Sequence, residues 1–262
     1  MISFEMPILF HWIDGTMQIA QRLFIVVVAA FIAIRMKGVR QALRGASLKW
    51  QYQLGAMLVF GLLSIIGTHS GVLLNIGDGN LQLNLDSAIP IPLKQNQALI
   101  SFRDTMALVS GLIGGPFAGL GAGIIGGAER YQLGGLASMS SSMATVLLGL
   151  YAGLLRKFRL KWIATANGVF WAAIIGSLLH WLLIIVLVHP FKTAQVLSWE
   201  VFVPISIVNC LGCVLFFWIM RDLDKDHLEC EANAARLLAV QSELRWLRAQ
   251  VDPHFLNKMY KS

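Results

Sequence analysis

Five stretches of this sequence run for about twenty residues with almost no charge: Met17–Ile34, Leu54–Leu74, Gly135–Leu155, Trp162–Val188 and Val201–Met220. A helix needs about 20 apolar residues to cross a hydrocarbon core roughly 30 Å thick. No water is available there to satisfy a free N–H or C=O, so each crossing must be helical. Composition points the same way, with 56% hydrophobic and 13% charged residues, against about 45–50% and about 25% in soluble domains. The expected fold is therefore an all-α polytopic membrane protein with five full transmembrane helices. No Lys or Arg precedes the first of them, and that span is longer than a signal-peptide core. An uncleaved membrane segment is the expectation, not an export signal.

A net charge of +7 would suit a nucleic-acid binder, but the positions of the basic residues argue against one. Arg35, Lys37, Arg40, Arg44 and Lys49 separate the first two spans, and Arg156, Lys157, Arg159 and Lys161 separate Leu155 from Trp162. Short basic loops stay in the cytoplasm. The segments Asn75–Gln97 and His189–Glu200 carry little positive charge and read as external. The N-terminus is then expected outside and the C-terminus in the cytoplasm.

This assignment leaves Ala98–Gly134 to leave the outer side and return to it. Its core, SGLIGGPFAGLGAGIIGGAERYQLGG, breaks at Gly114, Gly115 and Pro116 into two apolar halves, each too short to span comfortably. Proline cannot continue a preceding helix without losing a hydrogen bond. A re-entrant helical hairpin hinged at these three residues is expected, its glycines allowing close helix packing; two ordinary packed helices are the alternative.

Arg103 and Arg130 flank the hairpin and would both lie near the outer face. Charge at membrane depth marks a ligand site or a buried pair. Asp104 and Glu129 stand beside the two arginines and offer such a pair. Two guanidinium forks also suit a small anion. The hydroxyls of Ser138, Ser140, Ser141, Ser142 and Thr145 crowd the outward-facing first turns of the next span, an end that favours anions. Cys210 and Cys213 form a C-x-x-C in mid-span with no further metal ligand in view, and they read as packing residues; no metal site is expected. His69 and His180 read as polar packing groups. A small-solute transporter or channel with a broken helix along its path is the competing class.

Beyond Met220 the charge becomes mixed. Leu237, Val240, Leu244, Leu247 and Val251 repeat at the three-four spacing of a two-stranded coiled-coil seam, so residues 221–251 read as a cytoplasmic signalling helix in a parallel homodimer. An amphipathic helix packing on its own chain is the alternative. Pro253 ends or kinks this helix and exposes His254 beside Asp252. Imidazole can accept a phosphoryl group, and a neighbouring carboxylate can orient it.

RWLRAQVDPHFLN resembles the phosphoacceptor box of LytS-type sensor histidine kinases at Ala249, Gln250, Val251, Pro253, His254, Phe255 and Leu256, with Asp252 in place of the usual Asn. The stretch RDTMALVSGLIGGPFAGLGAGIIGGAERYQLGGLAS is similar to landmarks of the same family's five-transmembrane receptor region. The resemblance implies a receptor over 1–220, the signalling helix over 221–251, and over 252–262 the start of a phosphoacceptor region truncated before the ATP-binding domain. It implies that His254 would be phosphorylated and that Arg103 and Arg130, with Ser141 near them, lie around a small-ligand site. A bacterial inner-membrane location and a response-regulator partner follow. After Leu256 the chain departs from the family pattern, and it offers no ATP or Mg²⁺ site of its own. A frameshift, early stop or fragment boundary is the expected explanation, and no self-phosphorylation is expected from these residues alone.

Overall fold

The computed structural model describes residues 49–76, 81–84, 91–189 and 191–250, with isolated positions between 24 and 39. The first predicted span, Met17–Ile34, and His254 fall outside these, apart from a few positions of that span. Among the described residues, six helices and three strands follow one another: α1 (Trp50–His69), β1 (Val72–Ile76), β2 (Leu81–Asn84), β3 (Gln97–Ile100), α2 (Arg103–Gly114), α3 (Pro116–Gln132), α4 (Ser138–Ile163), α5 (Ala166–Leu187) and α6 (Phe191–Gln250). The chain divides into two units, Met1–Met220 and Arg221–Ser262.

Among the described residues four helical segments are long and apolar enough to cross a membrane: Trp50–His69, Ser138–Ile163, Ala166–Leu187 and Ile205–Arg248. They correspond to the last four predicted spans, with shifted ends. The second span stops at His69, five residues before Leu74, because the apolar run Val72–Ile76 is a strand. Short apolar runs bury equally well in either form. β1 pairs antiparallel with β2 and β3, with Leu74 opposite Leu83 on one side and Ala98 on the other. This three-stranded sheet is a correction to the all-α reading. Its Leu73 and Leu99 pack with Leu93 and Leu133 in one buried cluster.

The basic run after Leu155 is also more ordered than a loop. Helix α4 continues through it to Ile163, with non-helical φ/ψ only at Arg159. Lys and Arg are good helix formers, so a basic run need not end a helix. Only Ala164 and Thr165 separate α4 from α5. The Thr165 hydroxyl caps α5 by accepting from the Gly168 N–H at 3.1 Å.

The Gly-Gly-Pro break falls where the sequence puts it. Gly115 has φ +84°, which stops α2, and Pro116 starts α3 at a position where its missing N–H costs nothing. The two ends of the α2–α3 hairpin then meet again. Leu93 N–H donates to Leu133 O at 2.8 Å, and Leu136 N–H donates to Gln97 O at 3.0 Å. Strand β3, just before α2, is thus tied to the turn just after α3. Close packing needs Gly119 on α3 and Gly149 on α4, because a Cβ on either would run into the other's backbone.

In the second unit, the described residues of α6 from Arg221 onward are exposed or partly exposed, including Leu237, Val240, Leu244 and Leu247 of the predicted seam.

Candidate functional site

The end of the bundle where the hairpin closes collects most of the buried polar groups. Arg103 opens α2, Arg130 closes α3, Ser141 and Thr145 occupy the first two turns of α4, and His180 lies in the second half of α5. Arg103 and Arg130 are 2% and 0% exposed and lie within electrostatic reach of each other and of Asp104. Burying two guanidinium groups demands compensation.

Part of that compensation comes from Thr145. Its Oγ1 accepts from Arg103 Nε at 2.7 Å and donates to Asp104 Oδ1 at 2.7 Å; the same oxygen is 2.9 Å from Ser141 O. Arg103 Nε also stands 3.5 Å from Asp104 Oδ1. The second carboxylate oxygen of Asp104 is 2.6 Å from His180 Nδ1, and His180 Nε2 is 3.4 Å from Ser141 Oγ. One chain of contacts therefore joins α2, α4 and α5. Arg130 is held differently, with its Nη1 donating to Gly134 O at 2.6 Å. Its neighbour Glu129 faces His69 of α1 at 2.9 Å.

The sequence left the arginines either paired with neighbouring acids or holding an anion. Arg103 does pair with Asp104. Yet Arg103 Nη1 and the Nε and Nη2 of Arg130 are buried with no hydrogen-bond partner. Such donors are costly unless something accepts from them, and a planar acceptor such as a carboxylate matches guanidinium forks. Ser138 stands one turn outside this network, its carbonyl accepting from Ser142 Oγ at 2.6 Å. Gly114, Gly115 and Pro116 lie at the opposite end of the hairpin, where Arg156 Nη1 donates to Leu112 O at 3.0 Å.

Two participants went unread in the sequence. Thr105 Oγ1 donates to Asn209 Oδ1 at 2.8 Å, across 104 residues, and so connects the helix that carries Arg103 and Asp104 to α6. Asn209 is a lone Asn in an apolar span, a signal of interhelical bonding. Cys210 and Cys213 are buried free thiols, and among the described residues no group of His, Cys, Asp or Glu is arranged to hold a metal.

The broken glycine-rich hairpin, its flanking arginines and the following span lie within a stretch that matches a known family. Residues 36–223 match the family model described as 5TMR of 5TMR-LYT. The chain belongs to the 5TMR-LYT family. It is 27% identical over 230 residues to the sensor protein LytS of Oceanobacillus iheyensis, covering 87% of this chain and 38% of that protein. Against LytS of Bacillus subtilis the identity is 28% over 229 residues, covering 85% and 37%. Against the sensor histidine kinase BtsS of Escherichia coli it is 26% over 170 residues, covering 63% and 27%. The chain thus spans less than two-fifths of the length of these curated relatives. No solved structure matches. The matched 5TMR-LYT region takes in the four helical segments apolar enough to cross a membrane up to residue 223.

Proposed function

We propose that this 5TMR-LYT chain detects a small anionic solute, of carboxylate type, that enters from outside the cell and is held between Arg103 and Arg130. The observation that carries this reading is the pair of buried guanidinium groups at the closed end of the hairpin with three N–H-bearing nitrogens lacking partners. A bound carboxylate would accept from these buried donors. Ser141, beside His180, and Ser138 would border the site. The protein lies in the bacterial inner membrane, N-terminus outside and C-terminus in the cytoplasm.

Ligand affinity that differs between two packings of the hairpin shifts their equilibrium. Thr105 and Asn209 offer a direct route from α2 to α6. The exposed seam Leu237, Val240, Leu244 and Leu247 suits a parallel homodimer through which α6 passes the change onward. His254 would then take a phosphoryl group and hand it to a response regulator. ATP and Mg²⁺ would act through the catalytic domain of a full-length relative.

Titration of the purified protein with formate, acetate, propionate and inorganic phosphate tests the site. Saturable binding of a carboxylate that weakens by tenfold or more in both Arg103→Ala and Arg130→Ala is expected, since a charge-assisted hydrogen bond contributes about 1.5–3 kcal/mol. Unchanged affinity in both variants would remove the proposal.

A further inference from the structure

At the end of the first unit remote from the arginine cluster, a cavity of about 60 Å³ opens among α2, α4, α5 and α6, with Leu112, Leu160, Val169, Cys213 and Phe216 in its walls. Among the described residues, Arg156 is the one charged residue in its lining. That volume equals roughly two water molecules, but water needs polar partners that apolar walls do not provide. Part of a hydrocarbon chain fits these walls better.

The rim has a different chemistry. Arg156 lies over the C-terminal end of α2, its Nη1 bonded to Leu112 O at 3.0 Å. Lys157, Arg159 and Lys161 follow it and are exposed, and the helix is distorted at Arg159 (φ −134°, ψ 40°). The N-terminus of α5, capped by Thr165, is adjacent in the chain and adds partial positive charge. No Asp or Glu occurs between Glu129 and Glu200, so this stretch of sequence is basic throughout. Basic pockets between membrane helices recognise anionic lipid headgroups.

We propose that this cavity and its basic rim form a binding site for an anionic phospholipid, with an acyl chain entering between α4 and α6 and the phosphate held by the Arg156–Lys161 run. Charge complementarity selects the occupant: a zwitterionic lipid supplies the same hydrocarbon but no net negative charge. Because Cys213 and Phe216 of α6 and Leu112 of α2 share the cavity, a bound lipid would brace α6 against the end of the helix whose other end carries Arg103. The site is independent of the solute proposal, since neither arginine of that cluster lines it.

Photo-crosslinking with diazirine-acyl phosphatidylglycerol and diazirine-acyl phosphatidylcholine in liposomes tests this, the adducts being mapped by peptide mass. Phosphatidylglycerol is expected to mark Leu112, Cys213 or Phe216, and phosphatidylcholine to mark only lipid-facing residues such as Leu178 and Leu182. Each Lys or Arg near anionic lipid contributes a factor of about five in binding, so Lys157→Gln with Lys161→Gln should cut the cavity adduct about 25-fold at sub-saturating lipid. These two side chains are exposed, and their loss leaves the packing intact. Equal labelling by both lipids, adducts confined to the outer helix faces, or an unchanged yield in the double variant would overturn the proposal.

Discussion

Replacing Thr145 with Val removes one hydroxyl from the point where three helices meet, and its cost can be worked from the geometry. The hydroxyl accepts from Arg103 Nε and donates to Asp104 Oδ1, both at 2.7 Å. Val fills nearly the same volume, so the cavity contribution is small and the lost polarity dominates. Hydrogen bonds between membrane helices average about 0.6 kcal/mol in double-mutant cycles, which gives about 1.2 kcal/mol for two. Bonds to charged groups reach about 1.5–3 kcal/mol each, which gives about 3–6 kcal/mol. Arg103 and Asp104 are 2% and 1% exposed, so neither can turn to water when its partner is removed. About 3 kcal/mol of destabilisation is therefore expected. Unfolding of the purified protein by sodium dodecyl sulfate, followed by far-ultraviolet circular dichroism, measures it. Thr145→Ser is the control: it keeps the hydroxyl and loses a methyl group, costing about 0.8 kcal/mol. If Thr145→Val proved no less stable than Thr145→Ser, the hydroxyl would not be the junction described here.

Three further outcomes follow from the packing. Gly115→Ala forces an L side chain to φ +84° and should cost about 1–3 kcal/mol in the same unfolding assay. Gly119→Ala drives a Cβ into the backbone at Gly149; at least 1–3 kcal/mol is expected, read as a lowered thermal midpoint of the detergent-solubilised protein. Leu244→Lys places charge in the exposed apolar seam of α6 and should shift the protein from dimer to monomer by light scattering, while the same change at Arg245 should leave the dimer intact.

The sequence reveals most about features that local chemistry decides. Gly115 and Pro116 break the hairpin because one adopts positive φ and the other cannot extend a helix, and both facts are legible in the residue types. The ends of α1 and α4 were less legible. Hydropathy does not distinguish the last turn of a helix from the strand Val72–Ile76, and the basic run 156–161 does not reveal where α4 stops. The turn-forming composition of Gly77–Asn80 between two apolar runs was the available sign of the sheet. At the site, Arg103 and Arg130 stood out because charge is rare in such a chain. Their surroundings did not: Thr145 and His180 meet Asp104 across 41 and 76 positions only because α2, α4 and α5 pack together. The Thr105–Asn209 bond has the same origin, since helix–helix registry is a property of the packed state.

A shared anion site requires a hairpin that returns to the side of the membrane it left, and sidedness of labelling tests this. Lys94, Gln132 and Lys161 are exposed, so single cysteines at these positions can be probed in intact cells with a membrane-impermeant maleimide, after Cys210, Cys213 and Cys230 have been replaced. Lys94→Cys and Gln132→Cys should both react from outside, and Lys161→Cys should react only after the cells are permeabilised. Reaction of Lys94→Cys and Gln132→Cys from opposite sides would separate Arg103 from Arg130 and contradict the shared anion site.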